Sequence, residues 1–424
     1  MDMARLMARW QMGNPWLLTA AFVWGVLLLA VCLRSGWQPY RQTTYPIWEA
    51  TGRAWLQGQD LYGELKDGQE QFLYYRYSPL IAALFTPCAM LPLWLGGVLW
   101  RLLSAVALLL ATDWWLRQGC PWQTTPTQRG VIYLLMAPLA LGSLNNAQAN
   151  IALLALMLVN VTAVQQQRWT LSALALALAI HLKVYPIALA GLLVLLYPLQ
   201  LGSRLVLALL VLTVLPFGLQ QPEYVARQYK LWWGVLAHGD AVRRTWSLVH
   251  GYRDVWQLLS AWQVPITLFQ YTLLQLAGGA GCAVAVLLAR WRLGRGTTTL
   301  WLTLTFATCW MLVLGPSPES CTYGLIAPML AYWIACLDRR PERLSYALGL
   351  CGYGLLVLCV LAGTSSTGIR LYQGTGLQPL GVLLFALGVA GAATSWLLWP
   401  EAVHETTPQV VGAAIPCAAQ QLAA

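Results

Sequence analysis

Apolar stretches of about 17–25 residues recur from Trp16 almost to Trp399, separated by short polar breaks. Each is long enough to cross about 30 Å of hydrocarbon as a helix. The pattern predicts an all-α, polytopic transmembrane helix bundle, with about 12 spans in a single domain over residues 1–400. The first stretch, 16–33, follows Arg5 and Arg9 but lacks a small-residue cleavage site and runs too long for a signal peptide, so it reads as the first span. Residues 79–92 carry three prolines, Pro79, Pro87 and Pro92. They read as a re-entrant or interfacial piece ahead of a full span at 93–116. Residues 401–424, with Ala, Gln and Pro and few large apolar side chains, read as a disordered cytoplasmic tail.

Composition agrees: 58% of residues are hydrophobic and 9% charged, against about a quarter charged in soluble domains. The net charge of +10 would suggest nucleic acid in a soluble protein. Here the arginines flank apolar stretches, where they meet membrane lipids and set topology, so no nucleic-acid partner is expected. Arginine-rich short loops at 117–129, 165–168, 202–204, 290–295 and 338–343 mark the cytoplasmic side. The outward connections are then a long first loop (34–78), the Asn145-Asn146 turn, the break at 181–186, a loop at 220–265, and turns at 315–322 and 364–376. Most polar residues other than arginine fall in these connections, which predicts a site on the outer face. The ten cysteines and four histidines are dispersed, without a Cys-x-x-Cys pair, so neither a metal site nor a cofactor is expected.

The first loop holds its own helix signal. Thr43 and Thr44 precede Tyr45-Pro46, a start pattern. Trp48, Gly52, Trp55 and Leu56 then fall on one face, with Glu49, Arg53 and Gln57 on another. This predicts an interfacial helix with both tryptophans at headgroup level. Glu49 reads either as a general base with a pKa raised by partial desolvation, or as an ordinary i,i+4 partner of Arg53. Asp60 is a second candidate carboxylate, or a turn residue after Gly58. Tyr75, Arg76 and Tyr77 suit either an aromatic belt or the recognition of sugar rings and phosphates.

Lys183 is one of three lysines and interrupts an apolar run. A charge at such depth marks a functional site by default, and Pro186 breaks the helix beside it. His181 and Tyr185 flank it. Asn145, Asn146, Gln148 and Asn150 crowd another helix end and suggest a hydrogen-bonding wall. Glu319 is the lone acid of its turn, placed to orient a substrate hydroxyl or to cap the next helix. Residues 220–265 carry Lys230, Arg243, Arg244 and Arg253 among five tryptophans, a surface for phosphate oxygens or for lipid headgroups.

In order and spacing these segments resemble glycosyltransferase family 87, integral-membrane transferases of the GT-C fold that use polyprenyl-phosphate sugars and include mannosyltransferases. The resemblance lies in Trp48 to Tyr62, Tyr75-Arg76-Tyr77-Ser78-Pro79-Leu80, Pro87, Leu91-Pro92, Asn146-Ala-Gln148-Ala-Asn150, Leu182-Lys183-Val184-Tyr185-Pro186 and the Pro-containing turn at Gly315. It implies transfer of a sugar from a polyprenyl-phosphate donor to a lipid or glycan acceptor at the outer face of the cytoplasmic (inner) membrane. It further implies an acid near the start of the first-loop helix, where this chain has Thr44. Either Glu49 or Asp60 takes that role, or catalysis is lost. In the implied chemistry one carboxylate accepts the acceptor's proton. Lys183 and an arginine of 220–265 stabilise the departing phosphate. Arg76, Tyr75, Tyr77, Asn146, Gln148, Asn150, His181, Tyr185 and Glu319 line the substrate. Two other readings fit the same pattern: a lipid or sugar transporter or flippase, and a catalytically inactive relative that binds lipid-linked sugars.

Overall fold

A computed structural model describes residues 13–41, 43–62, 75–244, 253–315, 318–336, 343–363, 365, 368, 372 and 374–399, the side chains of 238–244 apart. The tail at 401–424 lies outside the described residues. Every regular element described is helical.

Helix α1 (Pro15–Trp37) starts where Asn14 accepts hydrogen bonds from the amides of Trp16 and Leu17. It shows why the chain belongs in lipid: Leu18, Phe22, Val26, Leu29 and Leu33 form one exposed apolar stripe, while Trp24 and Val31 are buried on the opposite side. Among the described residues, six helices are long and apolar enough to cross a membrane: α1, α4 (Leu93–Gln118), the segment Pro198–Gly218 that contains α9 (Ser203–Val214), α12 (Leu268–Leu293), α15 (Arg343–Ala362) and α16 (Leu377–Leu398). Six further apolar helices among the described residues are shorter, with 10–17 residues. Among these, α6 (Asn150–Gln165) and α13 (Thr297–Val313) are buried over most of their length. Their neighbours are protein rather than lipid. Two buried threonines of α13 donate to carbonyls one turn back, Thr303 to Thr299 and Thr308 to Leu304, whereas the buried Thr305 hydroxyl has no hydrogen-bond partner among the described residues.

Helices α15 and α16 pack through small residues. A side chain on Gly352 would collide with the Gly381 carbonyl, and one on Gly388 with that of Ser345. Such close approach is the usual way to join helices where lipid removes the hydrophobic drive between them. Trp122 and Trp301 pack against Tyr332, and Trp301, Trp333 and Trp396 against one another, while the Tyr332 hydroxyl bonds both backbone groups of Trp122.

Two expectations change. The stretch 220–265, read as a loop, holds α10 (Pro222–Arg244) and α11 (Val255–Ala261). Its polar composition hid a helical face: Tyr224, Val225 and Gln228 recur at helical spacing and are buried. The first-loop helix α2 (Tyr45–Leu56) forms as expected, but its tryptophans do not lie among headgroups. Trp48 and Trp55 are 1% and 3% exposed, enclosed by protein aromatics that compete successfully for the same apolar face. The proline-rich piece forms α3 (Pro79–Ala89), a helix of 11 residues that is too short to span alone.

Candidate active site

The break after Leu182 is real. Helix α7 (Trp169–Leu182) ends there and α8 (Ile187–Leu196) begins after Pro186. Across from it, α5 (Pro126–Asn145) ends and α6 starts at Asn150. The turn between them is tight, with Ala147 at φ 53, a left-handed conformation uncommon for a residue with a Cβ. Hydrogen bonds hold it: Trp100 Nε1 donates to the Ala147 carbonyl at 3.0 Å, and the Thr44 amide and hydroxyl donate to the Asn146 carbonyl at 2.8 and 3.0 Å. Thr44, where the resemblance implies an acid, is thus seated directly on the Asn146 backbone carbonyl of this turn.

The wall is a polarised chain of side chains. Lys183 Nζ donates to Asn150 Oδ1 at 2.7 Å, Asn150 Nδ2 to Gln148 Oε1 at 2.8 Å, and Gln148 Nε2 to Glu319 Oε2 at 2.7 Å. The cation fixes the first amide and the carboxylate fixes the second, so each amide has one consistent orientation. Gln148 and Asn150 are buried, and Tyr185 adds a 3.3 Å hydroxyl contact to Asn150 Oδ1. Glu319 heads the 3₁₀ helix Ser320–Ile326 and its amide donates to Thr322 Oγ1. It therefore starts the 3₁₀ helix, the second of its two readings, and its carboxylate accepts from Gln148. Asn146 Nδ2 reaches Cys321 Sγ at 3.1 Å, tying the turn to the same 3₁₀ helix.

Two further groups close on Glu319. The Arg253 amide donates to the Pro318 carbonyl at 2.8 Å. Burial of its guanidinium pulls the pKa below its usual value, against the nearby negative charge of Glu319 and the phenols of Tyr372 and Tyr323. Tyr77 lies parallel to Trp48 with ring centroids 4.2 Å apart. Burial, and the Glu319 charge beside it, push its phenol pKa up, so Tyr77 is a neutral hydroxyl at physiological pH. Tyr75 is packed behind, edge-on to Trp48 and Tyr77, and the Arg76 carbonyl accepts from Trp232 Nε1. His181 is buried and its Nδ1 meets Ser78 Oγ at 3.2 Å, which pins the end of the first loop to α7.

The structure places the remaining candidates elsewhere. Glu49 pairs with Arg53 of its own helix at 2.5 Å. Asp60 pairs with Arg227 at 2.8 Å and accepts from Gln228 Nε2 at 3.0 Å, fastening the first loop to α10. Arg243 and Arg244 fall in the last turn of α10, and their side chains lie outside those described. One residue went unread in the sequence: Arg101, 2% exposed on α4. It donates to the carbonyls of Leu144, Gly97 and Asn145 and to the hydroxyls of Ser35 and Thr43. A lone arginine inside an apolar span was the available signal.

Beside the wall runs an apolar cleft of about 550 Å³ between α3, α4, α6 and α7, lined among others by Phe85, Trp100, Ala152, Leu156 and Leu182. Its lining includes Leu182, the residue before Lys183, and Ala152, two positions after Asn150. Leu84, Leu103 and Leu110 also line it and are about half exposed, so the cleft opens sideways onto the apolar surface of the bundle.

The model of glycosyltransferase family 87 matches residues 75–316. No curated protein matches the chain. The matched range takes in the wall, Lys183, Arg253 and the cleft, whereas Glu49 and Asp60 precede it and Glu319 follows it. With more than half of its length matched, the chain belongs to glycosyltransferase family 87 and is an integral-membrane glycosyltransferase.

Proposed function

We propose that the protein moves a mannose-like sugar from a polyprenyl-phosphate donor to a lipid-linked or cell-envelope acceptor, at the outer face of the cytoplasmic membrane, within a GT-C-type bundle of about 12 crossings. The observation that carries this reading is the meeting of a sideways-open apolar cleft with a wall that ends in an ammonium. A substrate that is lipid at one end and phosphate at the other needs that junction. The polyprenyl chain enters between α3 and α7 from the bilayer, and its phosphate stops at Lys183, with Arg253 as a second cation. Negative charge grows on the phosphate as the bond to the sugar breaks, and fixed cations there lower the barrier. The aromatic faces of Tyr77 and Trp48, with the amides of Gln148 and Asn146, supply the stacking and hydrogen bonding that a sugar ring requires. The arginine-rich short loops at the other helix ends support an outward orientation for this end of the bundle. A transporter would instead carry its charges near the middle of the bilayer between repeated halves.

The test is transfer of radiolabelled mannose from polyprenyl-phosphate-mannose in membranes that overexpress the protein. Labelling above empty membranes supports the reading. Its absence, repeated with polyprenyl-phosphate glucose and arabinose, overturns it in favour of an inactive sugar-lipid binder or a transporter.

A further inference from the structure

The chain lacks an acid at Thr44, and the carboxylates Glu49 and Asp60 are each engaged by a neighbouring arginine. The wall nevertheless contains an acid. It comes from the far side of the sequence: Gln148 and Glu319 are 171 positions apart, and the 2.7 Å bond between them is a direct contact of the carboxylate with the wall. The Thr44 hydroxyl sits on the carbonyl of Asn146, and Asn146 in turn contacts Cys321, two residues beyond Glu319. The vacated first-loop position and Glu319 therefore abut the same turn. Glu319 is also only partly buried, as a group that must meet a substrate has to be.

We propose that Glu319 is the general base of the transfer reaction, replacing from the Gly315 turn the acid that the first loop lacks; the proposal rests on the transferase reading above. In the step, the acceptor hydroxyl oxygen attacks the anomeric carbon and its proton passes to the Glu319 carboxylate. The bond from the anomeric carbon to the phosphate oxygen breaks, and its electron pair leaves with the polyprenyl phosphate, whose charge Lys183 faces. Gln148 donates to one carboxylate oxygen and so fixes the orientation of the group. The order of charges along the wall suits this division of work: cation at the leaving group, acid at the nucleophile, and two amides that keep them apart.

The experiment compares full-length wild type with Glu319→Gln, Glu319→Asp, Glu49→Gln and Asp60→Asn in purified, nanodisc-embedded form, using polyprenyl-phosphate-mannose. Donor binding and monodispersity are measured alongside transfer. The expected result is a fall in kcat of about 100-fold or more in Glu319→Gln, with donor affinity retained and the acidic limb of the pH–rate profile abolished. Glu319→Asp, which keeps a carboxylate one carbon short, recovers part of the rate and keeps that limb. Transfer by Glu319→Gln within threefold of wild type overturns the proposal, as does a loss confined to Glu49→Gln or Asp60→Asn. Should Glu319→Gln not yield monodisperse protein, Glu319→Asp decides: a kcat about tenfold down at unchanged donor KM supports the base, and an unchanged kcat overturns it. An inactive wild type instead refutes the transferase reading itself, which separates the two failures.

Discussion

The Lys183 ammonium lies 2.7 Å from the Asn150 side-chain oxygen, at the point where α7 breaks and α6 begins. That contact turns a partly buried charge into the end of a polar chain, and it decides between two uses of the same lysine. A snorkelling lysine points its ammonium to headgroups and leaves nearby amides to find other partners. Here the lysine turns inward, and the amides line up from it to Glu319.

Replacing Lys183 by glutamine removes the cation while preserving hydrogen bonding to Asn150. The expected outcome is a loss of about 10²–10³ in kcat for sugar transfer, the size seen when a single electrostatic donor to a developing anion is removed. Donor KM changes less, because the charge matters most as the phosphate departs. A kinetic comparison with polyprenyl-phosphate-mannose reads both; an unchanged kcat would place the phosphate elsewhere.

Gln148 is the joint of the wall, and Gln148→Leu severs it on both sides. The buried Asn150 amide loses one acceptor, keeping Ser143 Oγ, and the Glu319 carboxylate loses a donor, each at a cost of about 1–3 kcal/mol. Thermal unfolding in detergent should shift downward accordingly. Transfer should fall by more than stability alone explains, because the acid is no longer held. Gln148→Glu is expected to be worse still, since it sets two carboxylates side by side.

How much of this was legible beforehand depended on whether a residue's own neighbours revealed its environment. The break at Lys183 was readable because a charge, a histidine and a proline fall within six positions of an apolar run. The amide wall was readable because four amides crowd one helix end, and no such crowd is needed for a turn. Trp48 and Trp55 were misplaced because an apolar stripe on a short helix looks the same whether lipid or protein covers it. Their partners, Tyr77, Trp100 and Tyr224, are spread over later elements. Helix α10 was missed because tyrosine and glutamine flank Val225 on its buried face, which leaves no run of aliphatic residues. The pairing of Gln148 with Glu319 spans most of the fold, and no local pattern announces it.

The Asp60–Arg227 pair offers a contrast with the wall. Its side chains are 51% and 56% exposed, and ion pairs in such surroundings contribute about 0–1 kcal/mol. A double-mutant cycle of Asp60→Asn and Arg227→Gln, read by thermal unfolding at low and high salt, should give a coupling below about 1 kcal/mol that shrinks as salt rises. A larger, salt-insensitive coupling would mean that this contact is shielded from solvent in the membrane-embedded protein.

Arg101 tests what keeps the wall in place. Its guanidinium joins α1 through Ser35, the first loop through Thr43, and the end of α5 through the Leu144 and Asn145 carbonyls. Those carbonyls belong to the last turn of α5, where a helix leaves acceptors without partners of its own. Arg101→Met removes the donors without opening a large void, so several buried acceptors lose their partner at about 1–3 kcal/mol each. A total loss of at least ~3 kcal/mol is expected. Arg101→Lys should rescue little of it, because a point charge cannot replace a planar fork that reaches separate elements. The decisive readout is which part loosens first. Hydrogen exchange should rise in the Asn145–Asn150 turn and in residues 43–56 before it rises in α15 and α16, which make their own contact through glycine. Uniform loosening of the bundle would show that Arg101 supports the fold as a whole rather than the site.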